Sequence, residues 1–467
     1  MSGYGLDSSF YSVLNAMNRT TMAQQQSMLR LTTGYRINKA SDDPSGLIAV
    51  SQLASELTAI QAASDNATRA NAMMNVADGA LSEVQDMVSE IHSLSLEIAN
   101  DTGMSEDEKQ ANQLAIDMAV ASINRVLGTT TFNGKNIFSG VHEINTSGVD
   151  SSKITDVDIT GRPTAVTNTT LNVEVEQAAE KAQMTYSAAT VTNAVEIEVT
   201  GNLGSVSLSF ASGATIDSIA SSINANTAGT GVAAVASNNV LYLQSQYTGE
   251  DEFVSVDVVS GSFGLTGGVT SDTGEDAEVT INGQNTGVNG LNVTFNVNGI
   301  SGTLTLDEDF ASAAGGSEEF TIGSGGATFA ISPSASSTFT IGISGMSAGT
   351  LGNGTLGYLS QITSGGLRNA LDNPAEAARI AEAATLQVAR ARANVGSFQT
   401  YTVGSMQNML SDAEEAVSSA ISSIRDTDYA YETAMLTRQN ILMQAQVSAL
   451  SLIGQQNSSV VNLLSGF

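Results

Sequence analysis

The sequence predicts an α+β multidomain chain in which both ends build a long α-helical coiled-coil or bundle core and a β-rich outer region is inserted between them. Three observations point there. Apolar residues recur at heptad spacing near each end, the middle changes to short alternating runs rich in Gly, Ser, Thr, Asn and Val, and helix signals return after it.

At the N-terminal end Phe10, Leu14, Met17, Thr21, Gln24, Met28 and Leu31 step by four and three, which is a helical seam with two polar positions. The stretch LTTGYRINKASDDPSG, residues 31–46, then interrupts it. Gly34 ends the first helix, Asn38 and the Asp42-Asp43 pair offer side-chain bonds to loop backbone, and Pro44 opens a second helix capped by Asp43 and running to about Asn100. A third helix starts at Ser105 and Glu108, a capping-box spacing, and ends near Gly128. From about 140 to 365 runs such as VEIEVTG, SVSLSF, VLYLQS, FVSVDVV and FTIGISG read as strands, with one helical insert in which Ile216, Ile219 and Ile223 share a face. Asn373, Pro374 and Glu376 restart helix with a predicted capping box, weakly broken near Gly396, Gly404 and Asp426. In the last part Met435, Gln439, Leu442, Gln446, Ala449, Ile453, Gln456, Val460 and Leu463 repeat the N-terminal rhythm. A narrow-striped helix of about 25 residues is marginal alone and needs a partner along its stripe. The other chain end is the nearest candidate, followed by copies of both.

Composition removes several function classes. The 467 residues carry a formal charge of −30, with no Cys and no Trp. Residues 1–45 come to +1, 46–181 to −12, 182–367 to −16 and 368–467 to −3. No basic residue stands between Lys181 and Arg368, so this region cannot bind a polyanion by neutralising phosphates, and nucleic acid and anionic membrane are poor partners. No run approaches the ~18 uninterrupted apolar residues of a membrane span. The start MSGYGLDSSFYSV lacks a basic, apolar secretory leader, so a secreted location is expected to depend on another export route.

Chemical motifs are weak. Gly345-Met346-Ser347-Ala348-Gly349 fits G-x-S-x-G, but that triad order needs a His after the Ser, and His92 and His142 both precede it. GTTTFNGK, 128–135, has one residue too many between its glycines for a P-loop and is followed by Asn136 where Ser or Thr holds magnesium. His92 sits in a helical stretch among apolar residues and reads as packing. Glu250-Asp251-Glu252 and Asp307-Glu308-Asp309 lack EF-hand spacing and read as solvated acidic surface rather than calcium ligands. Asn66, Asn168 and Asn353 match N-x-[ST], a pattern common in Ser/Thr-rich chains. No enzymatic activity, cofactor or metal is expected.

LTTGYRINKASDDPSG resembles the segment of bacterial flagellins of the form L-S-S-G-x-R-I-N-x-A-x-D-D-x-A-G. SSIRDTDYAYETAMLTRQNILMQAQVSALS, 422–451, is similar to the flagellin C-terminal signature, and GTTTFNGKNIFSG, 128–140, to its Q-T-x-F-N-G segment. The stretch of about 190–260, from VEIEVTG through TIDSIASSINANTAGTG to VLYLQS, resembles an insertion module of some flagellins and hook-associated proteins. The resemblance implies a structural subunit of the bacterial flagellar filament, with 1–45 and 421–467 as the inner helical core, 46–180 and 331–420 as the outer helical core, and 181–330 as a surface-exposed β-rich region. It implies a homopolymer whose self-assembly interface includes Phe10, Leu14, Met17, Met28, Leu31, Arg36, Lys39, Met435, Leu442, Ile453, Val460 and Leu463. Its other implied partners are the flagellar export apparatus, an export chaperone on the C-terminal helix, the filament cap and hook-associated proteins.

Flagellins detected by the flagellin-sensing Toll-like receptor carry an Arg, a Leu one turn later and a Glu on the next helix. Ungapped alignment of DGALSEV, 78–84, with the family's E-G-A-L-N-E-I places Glu90 at the Arg position and Leu94 at the Leu, with Ala115 near the third. Reversing a binding charge turns complementarity into repulsion, so weak or absent receptor activation is expected. The rivals are a hook-filament junction protein, which shares the S-D-D-P step at 41–44, and a secreted β-rich adhesin. IRDTDYA and the Gln-rich final helix favour the filament subunit over the junction protein, and the adhesin reading is disfavoured because the signal peptide and the cell-wall or autotransporter features expected of one are not seen.

Overall fold

The computed structural model describes residues 8–100, 103–163, 168–334, 337–354 and 356–464. Nine α-helices occur among them: α1 Ser8–Thr33, α2 Pro44–Ile98, α3 Glu106–Thr129, α4 Ile216–Asn224, α5 Thr227–Thr230, α6 Glu308–Ala311, α7 Pro374–Ser397, α8 Ser405–Arg425 and α9 Tyr429–Leu464. Two compact units hold them. One comprises residues 1–65, 332–334 and 407–467, the other 66–331 and 335–406.

Helix boundaries follow local chemistry. The Asp43 Oδ1 accepts the Gly46 amide at 2.9 Å, closing the start of α2 behind Pro44. Ser105 and Glu108 form the reciprocal capping box of α3, the Ser105 amide donating to Glu108 at 2.7 Å. At α7 the outcome differs from expectation. Pro374 does open the helix, but the Asn373 side chain makes no capping bond. Glu376 instead pairs with Arg368 at 3.1 Å, so the cation draws off the carboxylate that a capping box requires. The weak break expected near Gly396 and Gly404 is a π-helical segment, Phe398–Gly404, which joins α7 to α8 without ending the helical run. The break at Asp426 is a true interruption between α8 and α9.

The second unit contains three large apolar cores and a small cluster of Ala67, Ala70, Ile331 and Val403. The helical one packs α2 from Met73 to Ile98, with Leu81, Val88 and Ile91, against Ile116, Ile123 and Leu127 of α3 and Ile380, Ala384 and Val388 of α7. The β core lies between two antiparallel sheets. One has six strands in the order Gly287–Asn289, Asn292–Val297, Ile300–Leu306, Ile154–Pro163, Phe339–Ile341, Ala327–Phe329. The other has five, Gln284–Asn285, Glu278–Ile281, Thr169–Gln177, Ser317–Gly325, Ile144–Ser147. Alternate residues Leu171, Val173 and Val175 turn inward and their neighbours outward, as a half-solvated antiparallel sheet requires. A third core, Ala182–Phe263, belongs to an inserted lobe: a four-stranded and a three-stranded sheet packed with α4, whose Ile216, Ile219 and Ile223 are buried. Residues 128–135 resolve into a hairpin, Thr131–Phe132 with Lys135–Asn136, turned by Asn133 at φ 50° and Gly134 at φ 76°. Asn-Gly adopts that left-handed pair readily, which is why a phosphate-loop pattern folds as a turn.

Candidate assembly interface

In the first unit α1 and α9 pack antiparallel over most of their length. The register is visible in four contacts: Arg30 Nη1 to Glu432 Oε2 at 3.7 Å, Gln24 Nε2 donating to Asn440 Oδ1 at 2.8 Å, Thr21 Oγ1 to Met443 Sδ at 3.8 Å, and Gln446 Nε2 donating to Thr20 Oγ1 at 3.0 Å. Nearer the other end, α2 and α8 meet where Gln61 Nε2 donates to Glu414 Oε1 at 2.9 Å.

The contact face is more polar than the heptad reading suggests. On α1 the covered positions include Phe10, Val13, Leu14, Met17, Thr20, Thr21, Gln24, Ser27 and Leu31, and on α9 Glu432, Met435, Leu436, Gln439, Met443, Gln446, Leu450 and Ile453. Thr20 and Ser27 are buried, as are Glu432 and Gln439. The amide oxygens of Gln439 and Gln446 and the Nε of Arg30 are buried without a hydrogen-bond partner among the described residues. Each such group carries a desolvation cost of about 1–3 kcal/mol. The seam therefore holds the two ends in register at a modest net gain.

Of the expected interface residues, Phe10, Leu14, Met17, Leu31, Met435 and Ile453 are half-buried. Met28 and Leu442 turn outward at 52% and 42% exposure. A 3.6-residue helix lets positions 27 and 28 both flank one stripe, and the small Ser27 permits the closer approach. Met22, Ile441, Val447, Leu452, Tyr429 and Tyr431 are exposed alongside, so the pair presents an apolar outer surface. The side chains of Val460 and Leu463 lie outside the described residues.

The connector at 34–43 is bound to the α8–α9 link at 426–428. The Arg36 amide donates to the Arg425 carbonyl at 2.6 Å, and Thr427 donates to Gly34 at 2.9 Å. The Arg425 guanidinium lies 3.7 Å from the Tyr35 ring centroid. Gly34 sits at φ +74°, where an added Cβ would meet the Tyr429 hydroxyl at 3.0 Å. Asp42 Oδ2 accepts the Asn38 and Lys39 amides at 3.0 and 2.9 Å, and those donors hold its carboxyl below the usual range. The Gly46 amide and Ser45 hydroxyl do the same for Asp43. Arg36 donates to the Ile424 carbonyl at 2.6 Å, while the Lys39 side chain is exposed. Tyr35, Arg425, Thr20, Ser27 and Glu432 escaped sequence reasoning. Only the spacing of the small residues one position from the apolar stripe signalled any of them.

In the second unit Glu90 and Ala115 are exposed and Leu94 is half-buried against the helical core. Asn112 donates to Glu97 at 3.1 Å, an antiparallel register that sets position 94 opposite 115. The acidic runs are used locally. Asp307 caps α6 by accepting the Asp309 amide at 3.0 Å, Asp251 accepts from Asn289 and Glu252 from Asn202. The Ser347 hydroxyl accepts the Gly349 amide within a turn. Among the described residues no group of three or more His, Asp or Glu is placed to hold a metal ion, and no helix is long and apolar enough to cross a membrane.

Three family regions match the chain: the bacterial flagellin N-terminal helical region over residues 9–143, the flagellin hook IN motif over 193–262, and the bacterial flagellin C-terminal helical region over 378–464. Among similar proteins, the polar flagellin B/D of Vibrio parahaemolyticus is 24% identical over 448 residues, covering 96% of this chain and 95% of the relative. The flagellin of Salmonella typhimurium is 25% identical over 494 residues, covering 96% of this chain and 97% of the relative. The solved structure of FliC from Burkholderia pseudomallei aligns at 14% identity over 71% of this chain and 99% of its own, with a TM-score of 0.25.

Proposed function

Because the chain belongs to the bacterial flagellin family, a family of structural proteins, we propose that it is the subunit that polymerises into the flagellar filament for swimming motility. The single structural observation that supports this is the α1–α9 pair, which closes a polar seam within one chain and turns an apolar surface outward. Such a surface suits heterologous contacts that repeat without closing, the requirement of a helical polymer. Charge agrees: residues 1–45 and 368–467 come to +1 and −3 and stack without strong self-repulsion, whereas the −16 of 182–367 would oppose close packing and belongs outside.

In this reading residues 1–45 and 421–467 form an inner layer, 46–180 and 331–420 an outer helical layer, and 181–330 projects into the medium. Met28 and Leu442 contact neighbouring subunits, with Arg36 and Lys39 on the same assembly surface. The subunit leaves the cell through the flagellar export apparatus, escorted by a chaperone on α9, and adds beneath the filament cap beyond the hook-associated proteins. Glu90 in place of a cation makes it a weak or silent ligand of the flagellin-sensing receptor. Negative-stain electron microscopy of the purified chain under polymerising conditions tests the assignment. Long filaments are expected, and only short junction-like aggregates would favour a hook-filament junction protein.

A further inference from the structure

The inserted lobe, residues 182–273, carries eight carboxylates and no Lys or Arg. It joins the larger β core through a neck of two antiparallel segments, where Glu180 and Glu275 exchange backbone bonds of 2.9 Å. Beside the neck Asp251 accepts from Asn289 Nδ2 at 2.9 Å and the Glu250 amide donates to Asp276 Oδ1 at 2.9 Å, so the lobe is tied along one edge and is free chiefly to tilt about it.

Two cations reach the lobe from outside. Arg379 of α7 sets its guanidinium 4.9 Å from the ring centroid of Tyr247, with Nη1 3.5 Å from Gln246 Oε1. Lys181, in the neck, donates to the Gln246 carbonyl at 3.1 Å and pairs with Glu308 at 2.6 Å, on the side of the larger β core. Gln246 is thus held by its side chain and its backbone from two different elements. The short helix α5 of the lobe also rests on α7. Glu252 beside this contact feels burial, which raises its carboxyl, and the nearby Arg379 and Lys181, which draw it back.

We propose that Arg379 and Lys181 form a cationic clamp that fixes the orientation of the acidic lobe on the helical body. Arg379 sets the angle, since a planar guanidinium over a ring resists tilting in a way a flexible ammonium does not. Lys181 closes the neck side by tying the lobe to Glu308.

The chain has no cysteine, so Ser205→Cys in the lobe and Gln110→Cys on α3, both exposed, give a clean pair of spin-label sites in the full chain. Electron–electron double resonance is expected to show one narrow distance distribution for the parent, at least twofold broader with Arg379→Ala and with Tyr247→Ser. Arg379→Lys should fall between parent and Arg379→Ala. Circular dichroism melts identical to the parent establish that the variants fold. Tyr247→Ser approaches the same contact from the lobe side, so the test survives misfolding of either variant. A distribution as narrow as the parent's in either folded variant overturns the clamp.

Discussion

Gly34 shows how one backbone angle joins sequence to architecture. Its φ of +74° and the nearby Tyr429 hydroxyl leave no room for a side chain without strain. Gly34→Ala is expected to destabilise the terminal helix pair by about 1–2 kcal/mol, the cost of a left-handed non-glycine residue, read as a lower filament melting temperature. Asp42 and Asp43 predict the pH response of the same connector. Their folded pKa values lie below the unfolded ones, so their stabilisation is fully present above the ordinary Asp value of about 3.9 and is lost as pH falls through the folded values. Filament helicity should drop in that acidic window, and Asp42→Asn should flatten the drop. Asp156 and Asp158 have the opposite sign, since burial raises both carboxyls and acidification relieves that penalty. The Glu108 carboxyl of the α3 capping box is also held low by its Ser105 bonds, so it is the flattening by Asp42→Asn, not helix loss alone, that assigns the drop to the connector.

At the scale of the element, the α1–α9 seam balances register against strength. Gln439 buries an amide oxygen with no partner, so Gln439→Leu is expected to stabilise the pair by about 1 kcal/mol and to raise the helicity of the unassembled chain. Unchanged or reduced helicity by circular dichroism would show that the amide is satisfied in solution. The elements themselves were legible in sequence wherever a periodic stripe met a cap: α2 behind Asp43 and Pro44, α3 behind Ser105, α4 with its three isoleucines. The failures share a cause. At Asn373 a capping-box pattern was read without Arg368, a competitor five residues upstream that only the fold brings to Glu376. In the seam, scanning for large apolar residues chose Met28 and Leu442, while packing chose Ser27 and Met443, because close approach of two helices rewards small and flexible side chains. The connector's Tyr35–Arg425 stack joins residues 390 positions apart, beyond any local signal.

For the whole molecule, the proposed assembly assigns self-association to the nearly neutral ends and exposure to solvent to the acidic middle. Striped ends of this kind gain most of their order from burial against neighbours, so the free chain should show less helix than the filament by circular dichroism. Equal helicity would mean that the ends are already fully ordered before assembly. The charge at Glu90 should leave a cell reporter of the flagellin-sensing receptor unresponsive at normal flagellin doses, and a full response there would sink that reading. The central claim is that the paired ends drive polymerisation. A chain ending at Thr427, which lacks α9, tests it most directly under the electron microscope. It should form no filaments while the β cores melt as in the full chain, and filaments grown from it would contradict the account.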